Sequence, residues 1–151
     1  MSEEHNKATY RRWFREVAGE GRLDVVDELV TPEYVVNVPG TPLQQLTAAE
    51  HKALISAIHT AFPDWTETIE DIVAEDDKVV ARLTVEGTHD GPLRNFPAPG
   101  QDFAATGRRV RSSFIGIARF ADGRIAEAWT QFDTMGVAGQ IGLLDQVHLP
   151  Q

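Results

Sequence analysis

The side chains able to move protons in this chain gather at the ends of its apolar runs. Along 124–133 successive residues alternate, so Glu127, Trp129, Gln131 and Asp133 share one face of a strand and Ala126, Ala128, Thr130 and Phe132 the other. A carboxylate beside an indole on such a strand can form a pocket wall. Asp133, at the end of the run, can equally accept from backbone N–H groups at the turn that begins with Thr134. His89 closes an earlier run within Thr88-His89-Asp90-Gly91. An imidazole there can donate to a substrate carbonyl or relay a proton near neutral pH; the alternative is a turn histidine bonded to backbone. Tyr34 and Asn37 stand three apart on a short run and so face opposite ways. Asn37 is the better pocket donor, an amide suited to an enolate oxygen, or else it bonds to backbone at a strand end. Trp13, Phe14, Phe62, Trp65 and Trp129 either line a pocket for a flat ligand or fill the core. Arg82 and Arg119 lie within apolar strands, where they can bind a carboxylate or form ion pairs, Glu127 being one partner.

Other chemistries find no residues to carry them. With no cysteine, disulfides, thiolate nucleophiles and cysteine-held zinc or iron–sulfur centres are excluded. His51 and His59 are eight apart, two helical turns rather than one, and no carboxylate completes a set, so no metal is expected. Glycine-rich phosphate loops and a serine elbow are missing. Asp and Glu number 23 against 14 Lys and Arg, and the net charge of −9 repels phosphate backbones and anionic lipid. Nucleic acid is therefore not an expected partner, and the short cluster Arg108, Arg109, Arg111 reads as a solvated strand edge. The opening Met1-Ser2-Glu3-Glu4-His5 lacks the basic-then-apolar pattern of a secretory signal, and no apolar run approaches the ~20 residues of a membrane helix. The expectation is a soluble, cytoplasmic chain with no membrane partner, folded as one domain over residues 1–151.

The elements that must position these groups follow from periodicity. Ala8, Trp13, Phe14 and Val17 predict a helix over 5–18, stopped by Gly19 and Gly21. Leu23, Val26, Leu29 and Val30 predict a second over 22–30, ended by Pro32. Residues 34–38 read as a strand closed by Pro39-Gly40. Thr47-Ala48-Ala49-Glu50 is a capping box that opens a third helix over 48–61. From Thr66 to Thr88 β-branched residues dominate, with a hairpin turn at 75–78. Residues 91–103, rich in Gly and Pro, form a loop or lid; 108–120 and 124–133 are strands joined at Ala121-Asp122-Gly123. The stretch 134–144 is a brief helix or a covering tail. Three helices before a mostly antiparallel meander predict α+β, with the helices on one side of the sheet.

Together these features resemble the SnoaL-like polyketide cyclases and ester cyclases, within the nuclear-transport-factor-2-like superfamily that includes ketosteroid isomerase. The likeness covers nearly the whole chain. It rests on Ala61-Phe62-Pro63-Asp64-Trp65, Gly87-Thr88-His89-Asp90-Gly91, Arg119-Phe120 before Asp122-Gly123-Arg124-Ile125, and Glu127-Ala128-Trp129 followed by Asp133 and Gln140-Ile141-Gly142. The resemblance implies a cone-shaped α+β barrel, a curved sheet around an apolar cavity, a homodimer formed across the sheet, and no cofactor. It further implies a small apolar or polyketide-like ligand and an intramolecular aldol closure or isomerisation. Asp133 matches the family's general acid/base, which would need a pKa raised by burial from about 4 toward neutrality. Ketosteroid isomerase likewise uses an aspartate base. A non-catalytic binding protein or a water-using epoxide hydrolase are the alternatives the superfamily offers. Residues 39–43 and 135–139 depart from the anthracycline-type pattern, which leaves the ring substrate open.

Overall fold

The computed structural model describes residues 2–39, 43–95 and 100–146. The turn at Pro39-Gly40 and the proline-rich centre of the 91–103 loop therefore lie partly outside the described residues. Helix α1 (Glu3–Arg12) starts where Ser2 Oγ accepts from the His5 amide at 3.0 Å, with Glu3 and Glu4 in its first turn and Arg11 and Arg12 in its last. Those charges complement the helix dipole at both ends. The chain then widens into a π-helical segment, Trp13–Gly19, that buries Trp13, Phe14 and Val17. The expected helix over 5–18 is thus present, with its second half wound more loosely. Gly19 is required at the exit, since a Cβ there would stand 2.8 Å from the Phe14 carbonyl oxygen.

Four corrections to the expected elements follow next in the chain. The second helix is broken into a 3₁₀ turn, Leu23–Val25, and one short α2, Val26–Leu29. Val30 already belongs to β1 (Val30–Asn37), which starts four residues earlier than the β-rich run suggested. Pro32 does not end a helix; it sits in β1, where the register with the neighbouring strand shifts between Val30 and Val35. A missing amide is tolerated at such an irregularity. A short strand β2 (Gln45–Thr47) had no signal of its own, being too brief for periodicity to register. Helix α3 (Ala48–Ala61) opens on the expected capping box, with Glu50 N to Thr47 Oγ1 at 3.3 Å and Thr47 N to Glu50 Oε1 at 3.0 Å.

The remaining strands are β3 (Thr66–Glu75), β4 (Lys78–Thr88), β5 (Arg109–Ala121) and β6 (Arg124–Phe132), followed by α4 (Thr134–Gln140) and a 3₁₀ turn, Leu143–Gln146. The expected Asp-Gly hairpin joins β5 to β6, with Asp122 and Gly123 at φ 52° and 79°. The sheet runs β2-β1-β6-β5-β4-β3, antiparallel throughout except for the parallel pair β1–β6. The fold is α+β with a curved mixed sheet and helices at the N-terminal side. Alternation decides which residues face inward. On β4, Val79, Ala81, Leu83, Val85 and Gly87 are buried while Arg82 is exposed. The core is apolar in two clusters, one under α1 and the π segment, the other where Phe62, Trp65, Val85, Leu93, Val110 and Ile141 meet at the end of α3. The loop after β4 is pinned twice, by Gly91 N to the Ala61 carbonyl at 3.0 Å and by an antiparallel bridge between Leu93 and Phe103. Among the described residues no helix is long and apolar enough to cross a membrane.

Candidate active site

Between the inner face of the sheet and the helices lies a cavity of about 670 Å³, a size that suits a small organic ligand. Its wall is mostly hydrocarbon: Phe14, Val36, Leu54, Ile55, Val85 and Phe114 among others. The few polar groups on this wall carry the chemistry. Glu67 reaches the cavity from β3, where Thr66 and Thr68 point the other way. Its Oε2 accepts from Trp65 Nε1 at 2.9 Å. Burial disfavours the charged carboxylate and lifts its pKa to about 7, and the indole N–H opposes only part of that rise. Glu67 thus exchanges its proton near neutrality, as a general acid/base must. Trp65 is seated by Gly87, where a Cβ would lie 3.0 Å from the indole Cε3.

Tyr10 projects from α1 onto the same wall, its ring 4.5 Å from that of Phe14 and edge-on to Phe120. Burial, and then the charge of Glu67, hold its phenol well above the ordinary range, so it stays protonated. Tyr34 on β1 and His51 on α3 share a 3.0 Å hydrogen bond between Oη and Nδ1, their rings stacked at 6° and Trp13 packed 5.2 Å from the imidazole. Burial alone lowers His51 to about 4, and burial raises Tyr34, so the pair is neutral at physiological pH. Thr130 on β6 faces the cavity but donates its hydroxyl to the Asn37 carbonyl at 3.1 Å.

Trp13, Phe14, Phe62 and Trp65 line the cavity, as one of the two sequence readings has it. The other candidates lie outside its described lining. Asp133 is exposed at the N-cap of α4, its Oδ1 accepting from Gly136 N at 2.9 Å; the capping alternative describes this geometry. His89 is fully buried behind Phe62, with Nδ1 at 2.9 Å from Thr106 Oγ1 and its amide bonded to the Arg108 carbonyl. Burial lowers its pKa, and Nε2 has no partner among the described residues. Asn37 points to the outer face, donating to Glu127 Oε2 and to the Ala128 carbonyl, each at 3.0 Å. Trp129 lies on that outer face too, 36% exposed. Arg82 pairs with Asp71 at 2.7 Å and Arg119 with Glu127 at 3.5 Å, ion pairs rather than cavity groups. The alternation was right, but the inner face of β6 is the one bearing Ala128, Thr130 and Phe132, and on β1 it bears Tyr34 and Val36. Glu67 went unread although Trp65-Thr66-Glu67 places an acid and an indole two apart on one face of a strand. Among the described residues no group of three or more histidine or acidic side chains has metal-holding spacing.

A curved mixed sheet and overlying helices around an apolar cavity that carries an acid define the cone-shaped α+β class of small-molecule proteins. The model of the SnoaL-like polyketide cyclase family matches residues 8–141, and the chain belongs to that family. Solved structures agree. TsrD from Streptomyces laurentii is 26% identical with a TM-score of 0.77, over 94% of this chain and 98% of that one. IdmH from Streptomyces antibioticus, described as a candidate polyketide cyclase, is 28% identical with a TM-score of 0.75, over 91% and 98%. A candidate polyketide cyclase from Acidithiobacillus ferrooxidans is 28% identical with a TM-score of 0.76, over 95% and 99%. Among curated proteins none matches.

Proposed function

We propose that this chain is a cyclase-type enzyme that removes an activated C–H proton with Glu67 and closes or isomerises a carbonyl compound inside the apolar cavity. The observation that carries this reading is Glu67 itself, a carboxyl titrating at about 7 on a hydrocarbon wall and aimed by an indole N–H. The carboxylate takes the proton as the C–H electron pair moves onto the adjacent carbonyl oxygen. The resulting enolate carbon attacks a second carbonyl of the same molecule, and the new alkoxide recovers the proton from Glu67. No atom is gained or lost, so an acid/base group and a shaped pocket suffice. Family membership and the cyclase names of IdmH and the Acidithiobacillus protein support the same reaction class. We further propose a homodimer across the outer face of the sheet, where Ile115 and Trp129 expose apolar surface.

Deuterium exchange at the benzylic C–H of 2-tetralone, followed by NMR, tests the acid/base role. Native protein should accelerate exchange, Glu67→Gln should slow it by at least about 100-fold, and Asp133→Asn should leave it within about threefold. Undiminished exchange in Glu67→Gln would remove Glu67 from the mechanism, and a reversed pattern would return the role to Asp133. If native protein gave no acceleration, the cavity would be read as that of a binding protein.

A further inference from the structure

Helix α4 supplies one side of the cavity wall through Thr134, Val137 and Ala138, yet none of its own residues is fully buried. Its seven residues are too few for a helix to persist alone in water, so α4 is helical only while docked. Gly136 and Gly139 weaken it further by favouring the unwound chain. What holds it is a clasp on β5. Strand β6 stops pairing at Phe132, opposite Phe114, so β5 runs on past its partner and leaves a free edge at Arg111. The Gln140 amide fills that edge as a strand would: Oε1 accepts from Arg111 N at 2.8 Å, and Nε2 donates to the Arg111 carbonyl at 2.9 Å. Ile141, 2% exposed, packs with Val110 just past the last turn. Docking also has a cost. Ser112 lies between Val110 and Phe114, which pack with Val137 and Ile141, and its Oγ is buried with no hydrogen-bond partner among the described residues. Release of α4 restores water to that hydroxyl.

We propose that α4 is a detachable wall of the cavity, held shut by the Gln140–Arg111 clasp, and that flat apolar ligands pass in and out where it lifts from β5. Lifting and unwinding are one event, because the helix has no stability of its own. Ile141 leaves the core with it, and that lost burial keeps the released state a minor one. The ligand occupies the docked state and exchanges through the released one. A change in how often α4 lifts therefore moves entry and exit rates together and leaves affinity nearly constant. Such a wall serves a binding protein as well as an enzyme, so it stands apart from the part played by Glu67.

Stopped-flow fluorescence with N-phenyl-1-naphthylamine, a neutral apolar probe, tests this through two substitutions of opposite sign. Gln140→Ala removes the clasp at an exposed position and should raise both entry and exit rates about 10-fold, with Kd changed by less than about threefold. Gly139→Ala adds a methyl that meets only Leu144 Cδ1, at 3.4 Å, and favours the helix. It should slow both rates by roughly fivefold. A second reading needs no ligand. The Arg111 amide is bonded to Gln140 and is exposed to exchange whenever α4 lifts, so its hydrogen exchange should slow by the same roughly fivefold factor in Gly139→Ala, where the bond itself is untouched. Rates unmoved by both substitutions would send the ligand through another opening, and a change confined to the exit rate would make Gln140 a ligand contact. Either result overturns the proposal, as does an Arg111 amide indifferent to Gly139→Ala. Should the probe not bind, the amide comparison decides alone.

Discussion

Glu67 and Trp65 form one unit, and the indole moderates the rise that burial imposes on the carboxyl. Trp65 Nε1 bonds to the ionised form more strongly than to the neutral acid, so it offsets part of the rise that burial imposes. Trp65→Phe removes the donor while keeping an aromatic ring against Gly87 and Phe62. The carboxyl should then titrate above about 7, and the rising limb of the pH profile for 2-tetralone exchange should move to higher pH by the same amount. A carboxyl-carbon NMR titration checks the shift directly; an unmoved or lowered midpoint would mean that the indole does not bond to the carboxylate in solution. At this scale the sequence was least legible. Residue type marks Glu67 as a surface acid among many, and only its surroundings, Tyr10 of α1 and the hydrocarbon of the cavity wall, make it unusual. Asp133 was the more visible candidate because its setting is local, and for the same reason its side chain is taken by the local amide of Gly136.

The elements were read well wherever one rule acted alone. The capping box placed α3, Asp-Gly placed the β5–β6 turn, and alternation separated the faces of β6. Periodicity failed where tertiary pairing outweighed it: Val30–Glu33 joins β1 because β6 lies alongside, and β2 exists only as a partner for Val35–Asn37. Which face of β1 and β6 turns inward was equally beyond a local rule, since both faces carry plausible polar groups and the choice is made by the helices that cover one of them. The loop after β4 shows how closely elements are fitted. A Cβ on Gly91 would collide with the Thr60 carbonyl oxygen at the end of α3, a backbone atom that no rotamer change can move. Gly91→Ala should therefore cost about 1–3 kcal/mol, read from chemical denaturation, and lose the Gly91–Ala61 hydrogen bond. Stability equal to native would show that the loop is not seated there.

At the scale of the whole molecule, buried acidic and basic groups have opposite effects on stability. Glu67 binds its proton more tightly folded than unfolded, so its ionisation erodes stability as pH rises from about 4.5 to about 7, by up to about 3 kcal/mol. His51, lowered from 6.5 to about 4, does the reverse: it contributes stability that is present above 6.5 and is lost as pH falls toward 4, and His89 has the same sign. Over the shared window the two slopes oppose each other. Glu67→Gln should expose the histidine slope, giving a protein whose unfolding free energy climbs steadily from acid to neutral pH and exceeds native at mildly alkaline pH. Denaturation curves across that range decide it, and a parallel pH dependence in the two proteins would refute the assignment of Glu67. The proposed dimer is tested by Ile115→Glu, which places a charge on the exposed apolar face of β5; light scattering should show monomer in place of dimer, with the exchange reaction tested separately. Strand β1 meets β6 through contacts such as Asn37 with Trp129, while β3 to β6 form a meander of near neighbours. Local hairpins close quickly and distant pairings slowly, so the meander should be acquired first as a half-open sheet. Its cavity-facing wall would then meet water until β1, which precedes the whole meander in the chain, docks against β6.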